Sequence, residues 1–149
     1  MKVMVIAKAS KASEAGDMGS PEMFAAMDKF NEELINAGIM LDGTGLTPSS
    51  RGARVRFSGS NRTVTDGPFA ETTQIIAGFM IWKVSSLQEA IDWVKKSPNC
   101  NADDYDVEIR PLMEPEDFAG LVTPERLEEV KELEARSADS DGYGLARFK

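Results

Sequence analysis

The sequence predicts an α+β chain of order β-α-β-β-α-β, with both helices on one face of an antiparallel sheet and a helical extension after it. Three observations predict it. Lys2–Lys8 and Phe79–Val84 are mostly apolar on both strand faces, interrupted by Lys2, Lys8 and Lys83, as in strands covered on both sides. Two segments, opening at Ser20 and Ser86, carry apolar residues at helical spacing behind capping residues. Between them, a run that alternates arginine with apolar residues meets a turn and returns, the pattern of a hairpin.

Each element has its own justification. The first strand puts Val3, Val5 and Ala7 on one face, and Met4, Ile6 and Lys8 on the other. A loop runs from Ala9 to Gly19. Ser20 is the N-cap of the first helix, Pro21 fits its N1 position, and Glu22 suits the positive end of its dipole. Met23, Met27, Phe30, Leu34 and Ala37 form its stripe, and Gly38 stops it. Ile39–Thr47 starts as a strand and breaks up through Gly43 and Gly45, and Pro48-Ser49-Ser50 is a turn. Ala53, Val55 and Phe57 alternate with Arg54, Arg56 and Ser58, which predicts a half-exposed strand; Gly59-Ser60-Asn61 turns it and Arg62–Thr65 pairs back. Phe79–Val84 reads as a central strand. Ser86-Leu87-Gln88-Glu89 has the capping-box pattern, with Leu87, Ala90, Ile91 and Val94 as the buried stripe and Ser97-Pro98 as the stop. Tyr105–Leu112 is the last strand. Thr123-Pro124-Glu125 opens a third helix with the narrow stripe Leu127, Val130 and Leu133, and Ser137–Lys149 reads as loosely ordered.

At 149 residues and 42% apolar content, the chain suits one domain with a real core. The reading divides it into a domain of residues 1–113, with charge −3, and an extension of residues 114–149, whose ten acids and five bases contribute −5 of the total −8. The acidic balance argues against nucleic acid and anionic membranes as partners. No stretch approaches the ~20 apolar residues of a bilayer span, and the N-terminus reads as a strand, not a signal peptide. The sequence has no histidine, which removes Ser–His–Asp and Cys–His catalysis and imidazole ligation. Cys100 alone forms neither an intrachain disulfide nor a thiolate zinc cluster, and it fits a reducing cytoplasm. Glu14, Asp17 and Asp42 lack metal-loop spacing, so no metal is expected, and no motif points to a cofactor.

Two helices on one face leave the other face of the sheet bare, although its central strands are apolar there. Burial against a second copy is the economical solution, and a homodimer is expected; the C-terminal helix is the alternative cover.

Thr65-Asp66-Gly67-Pro68-Phe69-Ala70-Glu71-Thr72 is the most unusual stretch. An Asx-turn at Asp66 needs the N–H two residues on, which Pro68 lacks, so the carboxylate must find another partner. Two readings stand: a rigid corner held by Asp66 and Phe69, or a pocket wall in which Asp66 or Glu71 acts as acid or base. Arg54 and Arg56, with Arg62 across the hairpin, form either a solvated edge or a small anion site. Lys8 and Lys83 each interrupt an apolar strand; such a lysine either snorkels or pairs with a carboxylate, or acts as a base or Schiff-base former.

The segment Val64–Thr72, followed by Ile76-Ala77-Gly78-Phe79, resembles the signature of the DGPF branch of the YCII-related (YciI-like) family. The resemblance extends through Gly45-Leu46, Pro48-Ser49-Ser50, Ala53–Phe57, Glu108–Leu112 and Thr123-Pro124-Glu125, nearly the whole chain. It implies the ferredoxin-like, dimeric α/β-barrel fold. Shorter relatives are similar to isomerase- or dehydrochlorinase-type enzymes thought to use a His–Asp pair, which this histidine-free sequence lacks. The resulting expectation is a small cytoplasmic homodimer that binds a small molecule between sheet and helices. Asp66 and Glu71 are its candidate catalytic residues for lyase- or isomerase-type proton transfer, and Lys8, Arg54, Arg56 and Phe69 its candidate ligand contacts. The alternative is a non-catalytic accessory or regulatory protein that acts through protein contacts.

Overall fold

The computed structural model describes residues 1–70, 74–99, 104–118 and 120–138. Its strands and helices run β1 (Lys2–Lys8), α1 (Lys11–Glu14), α2 (Pro21–Asn36), β2 (Met40–Gly45), β3 (Ala53–Ser58), β4 (Asn61–Asp66), β5 (Ile76–Lys83), α3 (Leu87–Val94), β6 (Val107–Pro111) and α4 (Pro124–Ala138), with a 3-10 turn at Ser49–Arg51. Strands β2, β5, β1 and β6 form one sheet in that order, every neighbouring pair antiparallel. The crossovers β1–α2–β2 and β5–α3–β6 each skip one strand, which is ferredoxin-like order. Strands β3 and β4 form a separate hairpin inserted between β2 and β5. The backbone bond from Leu46 N–H to the Ala77 carbonyl, 2.7 Å, closes the sheet just before the insertion.

Cross-strand partners share a face, so register shows what each face carries. Val3 lies opposite Trp82 and Pro111, and Val5 opposite Met80 and Ile109. This is the face under the helices, where Phe30 and Leu34 of α2 and Ala90 of α3 join Val3, Val5 and Trp82 in the core. Phe30 meets Trp82 edge-on at 6.4 Å and Trp93 at 6.3 Å between ring centroids. These contacts are well-packed apolar burial, the main stabiliser of the fold.

The helix ends follow their sequence signals. The Ser20 hydroxyl accepts Met23 N–H at 3.3 Å, Pro21 opens α2, and Gly38 just past its end takes φ +70°. At α3 the Ser86 hydroxyl accepts Glu89 N–H at 3.1 Å. The Glu89 carboxylate, however, takes the N–H of Ser85 at 2.6 Å, so the expected capping box is displaced by one residue.

The structure corrects several expectations. The Ala9–Gly19 loop contains α1, nucleated by reciprocal bonds between Ser10 and Ser13 at 2.9 and 3.1 Å. Strand β2 runs through Gly43 and Gly45 instead of breaking up there. Gly43 makes room rather than a break, since a Cβ there would sit 2.9 Å from Met80 Cγ. Strand β5 starts at Ile76, three residues before Phe79. Leu87 and Ala37, placed on buried stripes by spacing, are exposed at helix ends. The hairpin was expected to be half-exposed, yet every residue of β3 and β4 is exposed, because no other element packs on its apolar face among the described residues. Cys100 and residues 139–149 lie outside the described residues. No helix among the described residues is long and apolar enough to cross a membrane.

Candidate functional site

The distinctive loop is fixed by a chain of polar contacts. Asp66 ends β4, exposed and opposite Ala53. Gly67 donates its N–H to the Gly52 carbonyl at 2.9 Å, and the Gly67–Pro68 peptide is cis. Gly67 lies so close to the 3-10 turn that a Cβ would fall 1.7 Å from the Ser49 carbonyl oxygen. Phe69 N–H donates to the Ser49 hydroxyl oxygen at 3.0 Å, and the Arg54 guanidinium lies 3.9 Å above the Phe69 ring centroid. Ser49 is buried and donates its N–H to both oxygens of Glu14, at 3.0 and 3.2 Å. Its hydroxyl also donates to Glu14 Oε2. With that hydroxyl engaged on both sides, Ser49 is a bracket between α1 and the loop rather than a nucleophile.

Sequence reasoning named Phe69 as the anchor, and the half-buried ring pinned by Arg54 fills that place. It missed Glu14 and Ser49, whose only sequence signal is a Pro-Ser-Ser turn and an acid after a short polar segment. Glu71 lies outside the described residues. Arg56 is exposed on β3. The three arginines do not converge. Arg62 stacks on Phe57 at 4.0 Å, on the opposite hairpin face from Arg54, and donates to the Gly59 and Asn61 carbonyls at 2.9 and 2.8 Å.

Lys8 lies on the sheet face away from the helices. Its Nζ is 2.8 Å from Glu108 Oε2, and Arg110 Nε is 3.8 Å from Glu108 Oε1. The hydrogen bond from Lys8 holds the Glu108 carboxyl below the usual carboxylate range; the Lys8 and Arg110 charges add to this, and slight desolvation opposes it. By register the same face carries Met4, Ile6, Phe79 and Ile81, all half-buried, with Asp42 and Thr44 on its β2 edge. Glu108 and Arg110 are the residues that sequence reasoning passed over; their signal was charge alternating with Val107 and Ile109 along one strand. Helix α4 fully buries none of its residues from Pro124 to Val130. Of its residues from Pro124 to Val130, Leu127 alone is half-buried and the rest are exposed.

The layer between sheet and helices is filled by Trp82, Leu34, Val3 and Val5, all fully buried. A separate open cleft of about 380 Å³ lies between the end of α3 and the start of β6, lined by Val94, Ser97, Pro98, Asn99, Asp104 and Tyr105 together with Val107. None of the residues expected from sequence lines it.

A family model described as YCII-related domain matches residues 1–114. An uncharacterised protein of Rhizobium meliloti (strain 1021) is 36% identical over 80 residues, which is 54% of this chain and 64% of that protein. The match therefore spans a little under two thirds of the relative's length.

Proposed function

The chain belongs to the YCII-related domain family, and on that premise we propose that it is a homodimeric binder of small, partly apolar anions. In this reading two copies turn their open sheet faces toward each other, as in a dimeric α/β barrel. One observation carries it: the sheet face opposite the helices is apolar in its middle, at Met4, Ile6, Phe79 and Ile81, and charged along β6 through the close Lys8–Glu108 pair. A patch of this kind is unusual on a lone chain. A second copy covers it with the self-complementary geometry of a two-fold interface. Lys8, Glu108 and Arg110 sum to one positive charge. Glu108, kept ionised by its partners, aims the two cations, which suit the carboxylate or phosphate of a ligand.

A carboxyl held below its usual range is a weak base, so Glu108 serves as a charge partner rather than a general base. A lyase or isomerase step would instead fall to Asp66 or Glu71. Turnover of an identified substrate that survives Asp66→Asn removes Asp66 from that role. The lone cysteine supports placing the protein in the cytoplasm.

Sedimentation equilibrium tests the assembly. Two chains of 16.3 kDa are expected for the wild type and one for Phe79→Glu, which sets a charge in the middle of the patch. A wild-type monomer would overturn the proposal. In a thermal-shift panel of small aromatic and aliphatic carboxylates, stabilisation that is lost in Lys8→Met supports the binding half; stabilisation that persists in that variant argues against it.

A further inference from the structure

The hairpin has a fixed root and an unpartnered apolar face. Its root is clamped by the Gly67–Gly52 bond, the Phe69–Ser49 bond and Arg54 on Phe69. Beyond the root, register places Val55 opposite Val64 and Phe57 opposite Arg62, so these side chains share one face. Val55 is 52% exposed, Phe57 70% and Val64 63%. A two-stranded hairpin is marginal in water by itself, and one presenting three such side chains calls for a cover.

We propose that this hairpin is an exchange arm whose apolar face docks on the body of a second copy of the chain, against the outer side of α2. The inference deepens the homodimer reading and rests on it. Charge selects the occupant. Residues 53–66 hold three arginines and one aspartate, +2, whereas the rest of the chain holds fourteen bases and twenty-four acids, −10. Two arms laid on each other would repel, while an arm on a body attracts. The outer side of α2 offers the matching mixture. Phe24 is 49% and Ile35 50% exposed, and Asp28 and Glu32 are exposed beside them at helical spacing. Arg62, stacked over Phe57, is carried to that surface with the apolar face and meets its acids. In its own chain the arm is exposed throughout, so the α2 that receives it belongs to the other copy. A two-fold axis makes the exchange reciprocal and closed.

The test places a benzophenone amino acid at Phe57 in the full chain and irradiates it at concentrations where sedimentation shows the assembly. The expected product is a two-chain species with the cross-link in residues 21–36. A cross-link confined to one chain, or to residues outside that helix, overturns the docking. As a second readout, the triple variant Val55→Thr, Phe57→Thr and Val64→Thr should raise the dimer dissociation constant about tenfold or more. An unchanged constant for a well-folded variant also overturns the arm. The homodimer reading fails separately, through a wild-type protein that sediments as one chain.

Discussion

At Gly67 the chain passes so near the Ser49 carbonyl that no side chain fits, and the obstacle is backbone that cannot swing aside. Gly67→Ala is therefore expected to lower stability by about 3 kcal/mol or more, read as a shift in the urea midpoint at unchanged slope. The same substitution at Gly59, whose Cβ would meet nothing within 4 Å, has no such clash and carries only the strain of its positive φ. The requirement at Gly67 was half legible. The sequence marks Asp66-Gly67-Pro68-Phe69 as a corner with an odd hydrogen-bond problem. What the corner leans on is Ser49, 20 positions before Phe69, and through it Glu14, another 35 positions back, and no local pattern records it. Lys8 shows the same limit: a lysine in an apolar strand announces a partner, while the identity of Glu108 depends on which strand lies alongside.

Among the elements, the helices were the most readable because their ends are local chemistry. Ser20 and Ser86 cap their helices as their positions imply. Ser86→Ala is expected to cost about 1 kcal/mol, measured by thermal unfolding. The neighbouring Glu89 adds a pH signature. The Ser85 hydroxyl, and after it the Ser85 N–H, hold the Glu89 carboxyl below its usual range. A carboxyl lowered on folding stabilises above its unfolded value and loses that effect as pH falls through the lowered one. The stability difference between wild type and Glu89→Gln should thus be level near neutrality and shrink on acidification through the carboxylate range. Strands were harder to bound. Gly43 and Gly45 read as breakers along the chain, yet β2 runs through both, and Gly43 together with Gly78 on β5 lets the two strands approach closely. The hairpin pattern was correct in its pairing and misleading in its burial. Alternation shows that one face is apolar but not that anything in the same chain covers it.

For the molecule as a whole, the sheet, α2 and α3 hold the core, and among the described residues none of its members lies beyond Ile109. A chain of residues 1–120 is expected to keep its thermal midpoint within about 4 °C of the full chain, since the removed part includes an α4 exposed along most of its described length. A drop well beyond that would show that the extension supports the domain. The position of the hairpin has a wider consequence. The Leu46–Ala77 bond seals the sheet at the foot of the insertion, and among the described residues none of the fully buried side chains belongs to the inserted segment. The hairpin can thus lengthen, shorten or change its side chains while the sheet register and core stay as they are. That makes it the place where related chains can diversify whom they meet without disturbing how they fold.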